Sequence, residues 1–572
     1  MKKHIFLFIF LLIGGILFSQ ENEKLKTEEI TVIKAYTPKI SDAFKINTNP
    51  KIDSIEIFKK EINYSINSIP VASTFTPAKG KAKTIRRNPK ERIYSNYVSA
   101  GYGNYNTPIV EAFVHGNNSN YNDFGGFLDL HSSSGGIKDV KLDDDFLDFN
   151  IDLFYKQTER YFEWQANGGF NYLANNWYGL SDEINYNDPI IKSINEDQSY
   201  SEVYLGGEIE FFDALIHKGS TKFSSFLDKH KSKEINGFIS GIVDFPIGQE
   251  MIYTEMSIEF LNGMFDQNYL QTNNIEYTFF NIGLSPNFEV LRDNLEVNIG
   301  ARLYYSITTA EGQKSKFYIY PNITASYKIA NEALIAYAGI TGDLEQNSYK
   351  NFVKQNPFLS PTLDIKRTSQ QYHGYIGFKG LLNSNINFNA KVAYGNETDK
   401  PLFKLNPSKT DGTIEVQEGY EAGNSFEVIY DDVSTIHASA EVIFDFNEDF
   451  KFGGNIEFNS YQLSTQSHAW NLPMLKSTLI ARYTGKKWST GADFFFASDR
   501  KDELFIIPSA TTILITNSTY FDVNLQGLYN INDQISVFVN FNNIMNNNYQ
   551  KFTNFKVQGF QFFAGIKYKF DL

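Results

Sequence analysis

From Ile93 to Leu572 the chain repeats one pattern. Segments of about ten residues alternate apolar side chains with polar or small ones, and turn residues separate them. The last segment shows it best: Phe560, Phe562, Ala564, Ile566, Tyr568, Phe570 and Leu572 alternate with Gly559, Gln561, Phe563, Gly565, Lys567 and Lys569. Successive side chains of a strand point to opposite faces, so each such segment has one apolar and one wet face. Ile535, Val537, Val539 and Phe541 oppose Ser536, Asn540 and Asn542, and Ile252, Thr254, Met256, Ile258 and Phe260 oppose Glu255, Ser257 and Glu259.

A soluble β-sandwich would turn the polar face to solvent, whereas a transmembrane barrel turns it to an aqueous lumen and the apolar face to lipid. Aromatic content decides between them: Phe and Tyr number 51 and 35, and aromatic residues make up 16% of the chain. They gather toward segment ends, as in "YFDVNL" and "IKYKFDL", where interfacial girdles sit. No repeat of constant period marks a propeller or solenoid. Connection lengths alternate as well. Short turns at 530–533, 447–449, 484–487, 383–385, 330–332, 292–294 and 246–250 interleave with long polar loops near 175–199, 345–369, 398–424, 462–473 and 499–515. Asn424–Phe446 keeps its alternation without a turn and reads as one long strand. The expected fold is therefore all-β, a transmembrane antiparallel β-barrel of about 22 strands, an even number as single-chain bacterial barrels require.

The N-terminus differs. Lys2 and Lys3 precede a short apolar run, Ile5 to Phe18, and the small residue Ser19 stands before Gln20, the arrangement of a cleaved signal peptide. Beyond it no apolar run reaches the length of a membrane-spanning helix. The expected organisation is a signal peptide at 1–20, a short periplasmic N-terminal extension at 21–92 and the barrel at 93–572. There is no Cys, which excludes disulfides and thiolate metal sites, and a net charge of −14 argues against a nucleic-acid partner.

The strand count, the C-terminal hairpins and the stretch "FNNIMNNNYQKF" (Phe541–Phe552), with Asn543, Ile544, Met545 and Tyr549 just before the last strand, resemble the TonB-dependent outer-membrane receptors, in particular those of Bacteroidota. The resemblance covers the barrel. It implies an integral outer-membrane protein that takes up a solute, needs no cofactor, and engages a TonB-type periplasmic coupling protein through an N-terminal strand called the TonB box. It also implies that the last strand, with Ile566, Tyr568 and Phe570, is the signal read by the outer-membrane assembly machinery; here Asp571 and Leu572 follow the aromatic residue that usually ends it. The family's plug is a folded domain inside the barrel. The roughly seventy residues between Gln20 and Ile93 lack its alternating helix and strand pattern, so the plug reads as missing or much reduced, and the wide lumen must be filled otherwise. The N-terminal segment, inward-folding loops, large inward side chains and a separate lumen-filling subunit are the alternatives.

Within "TEEITVIKAY" (Thr27–Tyr36), Glu29, Ile30, Thr31, Val32 and Ile33 fit such a docking strand, which binds by backbone hydrogen bonding and needs little side-chain identity. The same run also suits a strand that pairs locally. The basic stretch Lys79 to Arg92 reads as a linker near lipid head groups. Asp143, Asp144 and Asp145 lack the spacing of a calcium loop and read as a solvated turn. The eight His residues are scattered, without a metal-binding pair or a nucleophile elbow, and His373 and His437 are expected to line the lumen. No catalytic or metal site is expected. Trp177, Tyr178, Tyr349, Phe352 and Trp470 lie in the long loops, where exposed aromatic faces would suit a flat ligand. Three functions stay open: uptake of a solute, a non-transporting barrel subunit that scaffolds a complex with other envelope proteins, and a passive diffusion channel, although general porins have fewer strands, about 16 to 18. Outer-membrane lipid surrounds the wall in all three.

Overall fold

The computed structural model describes residues 92–572 apart from 120, 248 and 249. The expected signal peptide at 1–20 and the candidate docking strand Glu29–Ile33 lie outside the described residues. The rest forms one closed sheet of 22 antiparallel strands, the predicted architecture. The first strand (Asn96–Gly103) pairs with its successor (Thr107–Ser119) on one side and with the last strand (Gln561–Phe570) on the other. The seam runs unbroken from Asn96 opposite Phe570 to Gly103 opposite Phe563. At that rim the Asp571 carboxylate accepts hydrogen bonds from Arg92 at 2.9 Å and from the Ser95 N–H at 3.0 Å. Asp571, just past the usual terminal aromatic position, thus fastens the last strand to the start of the barrel.

Alternation resolves into two faces as expected. Ile566 and Tyr568 on the last strand and Phe521 and Leu525 on Tyr520–Asn530, two strands away, are exposed on the outer wall, with Tyr568 stacked against Phe570. Lys567 and Lys569 point the other way, and Lys567 lies over the Tyr97 ring. On the strand Ile275–Arg292 the lumen face carries Tyr277, Phe279, Asn281, Gly283 and Ser285, while Ile282 and Leu284 face out. Gly283 is needed there: a Cβ would clash with Ser257 Oγ on one adjacent strand and sit 2.8 Å from the Tyr304 ring on the other.

Connections are short at the rim where the first strand begins and the last ends, and long at the other, apart from 104–106 and 229–232. Residues 104–106 close the first hairpin at the long-loop rim, using positive φ at Tyr105 and Asn106. The strand Phe426–Asp445 is continuous over 20 residues, as its alternation predicts. Its neighbour Ile386–Leu405 runs further than expected, because a bulge between Glu397 and Lys400 lets pairing resume instead of ending in a loop. The expected loop at 499–515 contains a hairpin of its own, Arg500–Ile506 paired with Thr511–Asn517.

A charge on the lipid face at mid-strand removes side-chain burial in hydrocarbon. Ile258→Arg, at the centre of the strand Glu250–Phe265, is expected to lower the unfolding free energy in vesicles by about 2–4 kcal/mol. Lys391→Gln, on the lumen face, is expected to change it by less than about 0.5 kcal/mol. Urea titration in lipid vesicles measures both.

Candidate functional site, a loop-built cap over the lumen

A barrel of this strand number is roughly 40 Å across, from a strand spacing of about 4.8 Å and a tilt of about 40°. Loops that leave distant parts of the ring nevertheless touch. Loop 177–196 follows the fifth strand, loop 406–425 the fifteenth, and loop 543–560 joins the last two. Asn424 Nδ2 donates to Trp177 O at 2.7 Å, Tyr178 Oη donates to Lys556 O at 2.9 Å, and the Phe358 ring from loop 347–366 stacks on Phe555 at 3.7 Å. Segments joined to such separated strands meet only by crossing the mouth, so the loops form a cap.

One element of the cap is a helix, Tyr349–Gln355, capped by Ser348 Oγ, which accepts from Asn351 N–H at 3.2 Å. The barrel wall holds it by carboxylates. Glu234, 2% exposed, accepts the Tyr349 N–H at 2.7 Å, the Lys350 N–H at 3.2 Å and the Tyr277 hydroxyl at 2.8 Å. Free N–H groups and the positive end of the helix dipole make this the favourable place for an anion. Glu202, also buried, pairs with Lys350 at 3.1 Å and Lys354 at 3.4 Å, and Asp228 accepts from the Tyr349 hydroxyl at 2.9 Å. Burial raises the Tyr349 phenol well above its ordinary pKa, so it stays a donor.

The loops bury a core of their own. Ile184, Ile190, Phe352, Leu359, Ile365, Leu504 and Phe555 pack with inward side chains of the upper wall such as Phe226, Leu261 and Phe279. Trp177, Tyr349, Phe352 and Trp470 are at most 2% exposed. The expectation that they face outward for a flat ligand is therefore overturned. Loops that pack on one another put their largest apolar surfaces inside, where each contributes about 1.5–3 kcal/mol. A buried polar chain ties four segments together: Asn517 Nδ2 donates to Thr553 Oγ1 at 2.7 Å, Thr553 to Asn471 Oδ1 at 3.2 Å, and Asn471 Nδ2 to Asp502 Oδ2 at 2.7 Å. Asp502 Oδ1 accepts the Leu405 N–H at 3.1 Å. Burial raises the Asp502 carboxyl to about 6, against these hydrogen bonds, which favour the charged form.

Under the cap lies a chamber of about 670 Å³, walled by Asp148, Asp152, Glu202, Tyr204 and Lys222 and roofed by Lys354. His437 bonds Asn459 from the lumen face, and His373 lies beside Tyr375 there, as predicted. Asp144 accepts the Ile137 N–H at 3.1 Å and orders its own turn, while Asp143 and Asp145 are exposed. Among the described residues no cluster of His, Asp and Glu could hold a metal ion. The helix and its anchors were missed by strand-period reading. The signal was present in "NSYKNFVKQNP", a Ser N-cap and a Pro after the stop.

Solved structures share this architecture at low sequence identity. Its fold is that of the TonB-dependent outer-membrane receptors. The pyoverdine outer-membrane receptor FpvA of Pseudomonas aeruginosa PAO1 is 12% identical, with a TM-score of 0.57 over 85% of this chain and 80% of that one. The ferric-catecholate import receptor Fiu of E. coli K12 is 11% identical, with a TM-score of 0.60 over 84% and 82%. The copper transporter OprC is 11% identical, with a TM-score of 0.58 over 85% and 82%. No protein-family model and no curated protein matches the sequence. These structural neighbours are named as receptors and a transporter.

Two predictions test the cap. Glu234→Ala leaves the helix N-terminus without its acceptor; amide exchange across 347–366 is expected to rise at least about tenfold, roughly 1.4 kcal/mol, with the barrel strands unchanged. Asp502 binds its proton more tightly in the cap, at about 6, than in a released loop near 4. Its contribution is therefore full below about pH 4 and lost as pH rises through about 6. Exchange in 500–517, corrected for intrinsic rates, is expected to be slower at pH 5 than at pH 7.5, and Asp502→Asn to remove most of the difference.

Proposed function

We propose that the protein is an outer-membrane receptor-transporter of the TonB-dependent kind, exported by a cleaved signal at 1–20. It takes up a solute captured from outside the cell. The observation that carries this reading is the cap: loops from separated strands roof a charged lumen chamber, and wall carboxylates hold a loop helix across it. A general diffusion pore has no use for such a roof. On this reading Glu29–Ile33 docks a periplasmic coupling protein, the bound solute and that coupling together displace the cap, and Ile566, Tyr568 and Phe570 on the lipid face serve as the assembly signal. The similarity to FpvA, Fiu and OprC supports uptake as the class of activity, and the mixed carboxylates and lysines of the chamber favour a polar, charged solute.

A second reading rests on the same cap. Its closed apolar core suits a barrel that stays shut and scaffolds other envelope proteins. Deleting Glu29–Ile33 separates the two. Uptake predicts that the deletion strain matches the null strain in its growth defect under one limiting nutrient, with protein amount in the membrane unchanged. Growth equal to wild type under limitation for iron, copper, carbon source and vitamins, together with stoichiometric co-purification of envelope proteins, would reverse the assignment.

A further inference from the structure

The hairpin Arg500–Ile506 and Thr511–Asn517 stands apart from the barrel sheet as a sheet of two strands. Its first strand is paired on both sides. Besides the hairpin ladder, Ser408 N–H donates to Phe505 O at 2.7 Å and Ile507 N–H to Ser408 O at 2.9 Å. The second strand, "TTILITN", has only the ladder. Among the described residues no backbone group of Thr511–Asn517 bonds to anything on the other side. Natural sheets guard such an edge with a lysine, a proline or a bulge. This edge has none: its register against 500–506 is continuous and it carries no charge.

A groove of about 460 Å³ lies against the C-terminal end of this strand and continues along 518–521 into the barrel strand Tyr520–Asn530. Ile515, Thr516 and Asn517 line it, and no residue of Arg500–Ile506 does, so it lies against the open edge rather than over a face of the hairpin. The opposite wall offers side-chain amides, Asn548 and Asn554 among them. Asn554 Nδ2 is buried there without a hydrogen-bond partner in the chain. One end is acidic: Asp182 and Glu183 are exposed, and only Asp182 has a salt bridge, to Lys556 at 3.5 Å.

We infer that this groove binds an extended peptide segment of a partner protein, added as a third strand at the Ile515–Asn517 end of the open edge and carrying a basic residue at the Asp182–Glu183 end. A row of backbone donors and acceptors facing neutral amides matches the backbone of an extended chain, which supplies the same groups at strand spacing. The carboxylate end fixes the sign of the charge. The inference is independent of transport and requires only that the long-loop rim face outward.

The test uses the full-length protein in detergent and a fluorescein-labelled peptide of alternating threonine and valine flanked by lysines, read by fluorescence anisotropy. Two further peptides carry N-methyl groups at every second residue, in the two alternate phases. An added strand presents its N–H groups to the edge at alternate residues only. Saturable binding is expected, weakened at least tenfold by one N-methyl phase and less than twofold by the other. Glu183→Gln combined with Asp182→Asn is expected to weaken binding severalfold, with the same preference between phases. No saturable binding, or equal loss with both phases, overturns the inference. So does a dimer of the protein whose contact protects 511–517 from amide exchange, because a second copy would then be the occupant.

Discussion

Every peptide group in the hydrocarbon layer must find its partner within the protein, and the ring of strands depends on that requirement. An open sheet of this width would leave two rows of unpaired groups in lipid. The pairing of Asn96–Gly103 with Gln561–Phe570 removes both rows at once. Once the ring is closed, alternation has only one arrangement, with Ile566 and Leu525 in lipid and Lys567 and Lys569 in the lumen. A slip of one residue would exchange the two sets.

Closure creates the second problem, a lumen wide enough to breach the membrane. Among the described residues the long loops respond to it. They cross the mouth, build an apolar core and carry a helix whose N-terminus rests on a wall carboxylate. Polar groups do the orienting and apolar groups supply most of the burial. Glu234, Glu202 and Asp228 come from three neighbouring strands, so one sector of the wall fixes where the helix lies.

The fold was legible because a period of two is a local signal that each strand repeats, and turn residues mark where it stops. Even the long strand Phe426–Asp445 could be read, since nothing in "DDVSTIHASAEVIFDF" breaks the alternation. The cap was not legible in the same way. Trp177 and Trp470 sit in polar sequence, and their partners come from other segments: Asn424 and Tyr420 reach Trp177 from more than two hundred residues away, and Lys404 lies over Trp470. Asp502 gives no hint in "RKDELF" that it will be wholly enclosed, because its partners come from elsewhere, Leu405 from the end of a barrel strand and Asn471 from another loop. Local pattern encodes the wall; the cap is encoded in contacts between segments that have no common period.

The clasp between Arg92 and Asp571 joins residues 479 positions apart. Alone, such a contact would face the entropy of closing nearly the whole chain, a cost no exposed ion pair could offset. It forms because the intervening strands have already brought the two ends side by side. It therefore adds nothing to the search for the fold and acts only on the finished ring, as a latch on the rim where the seam would begin to peel.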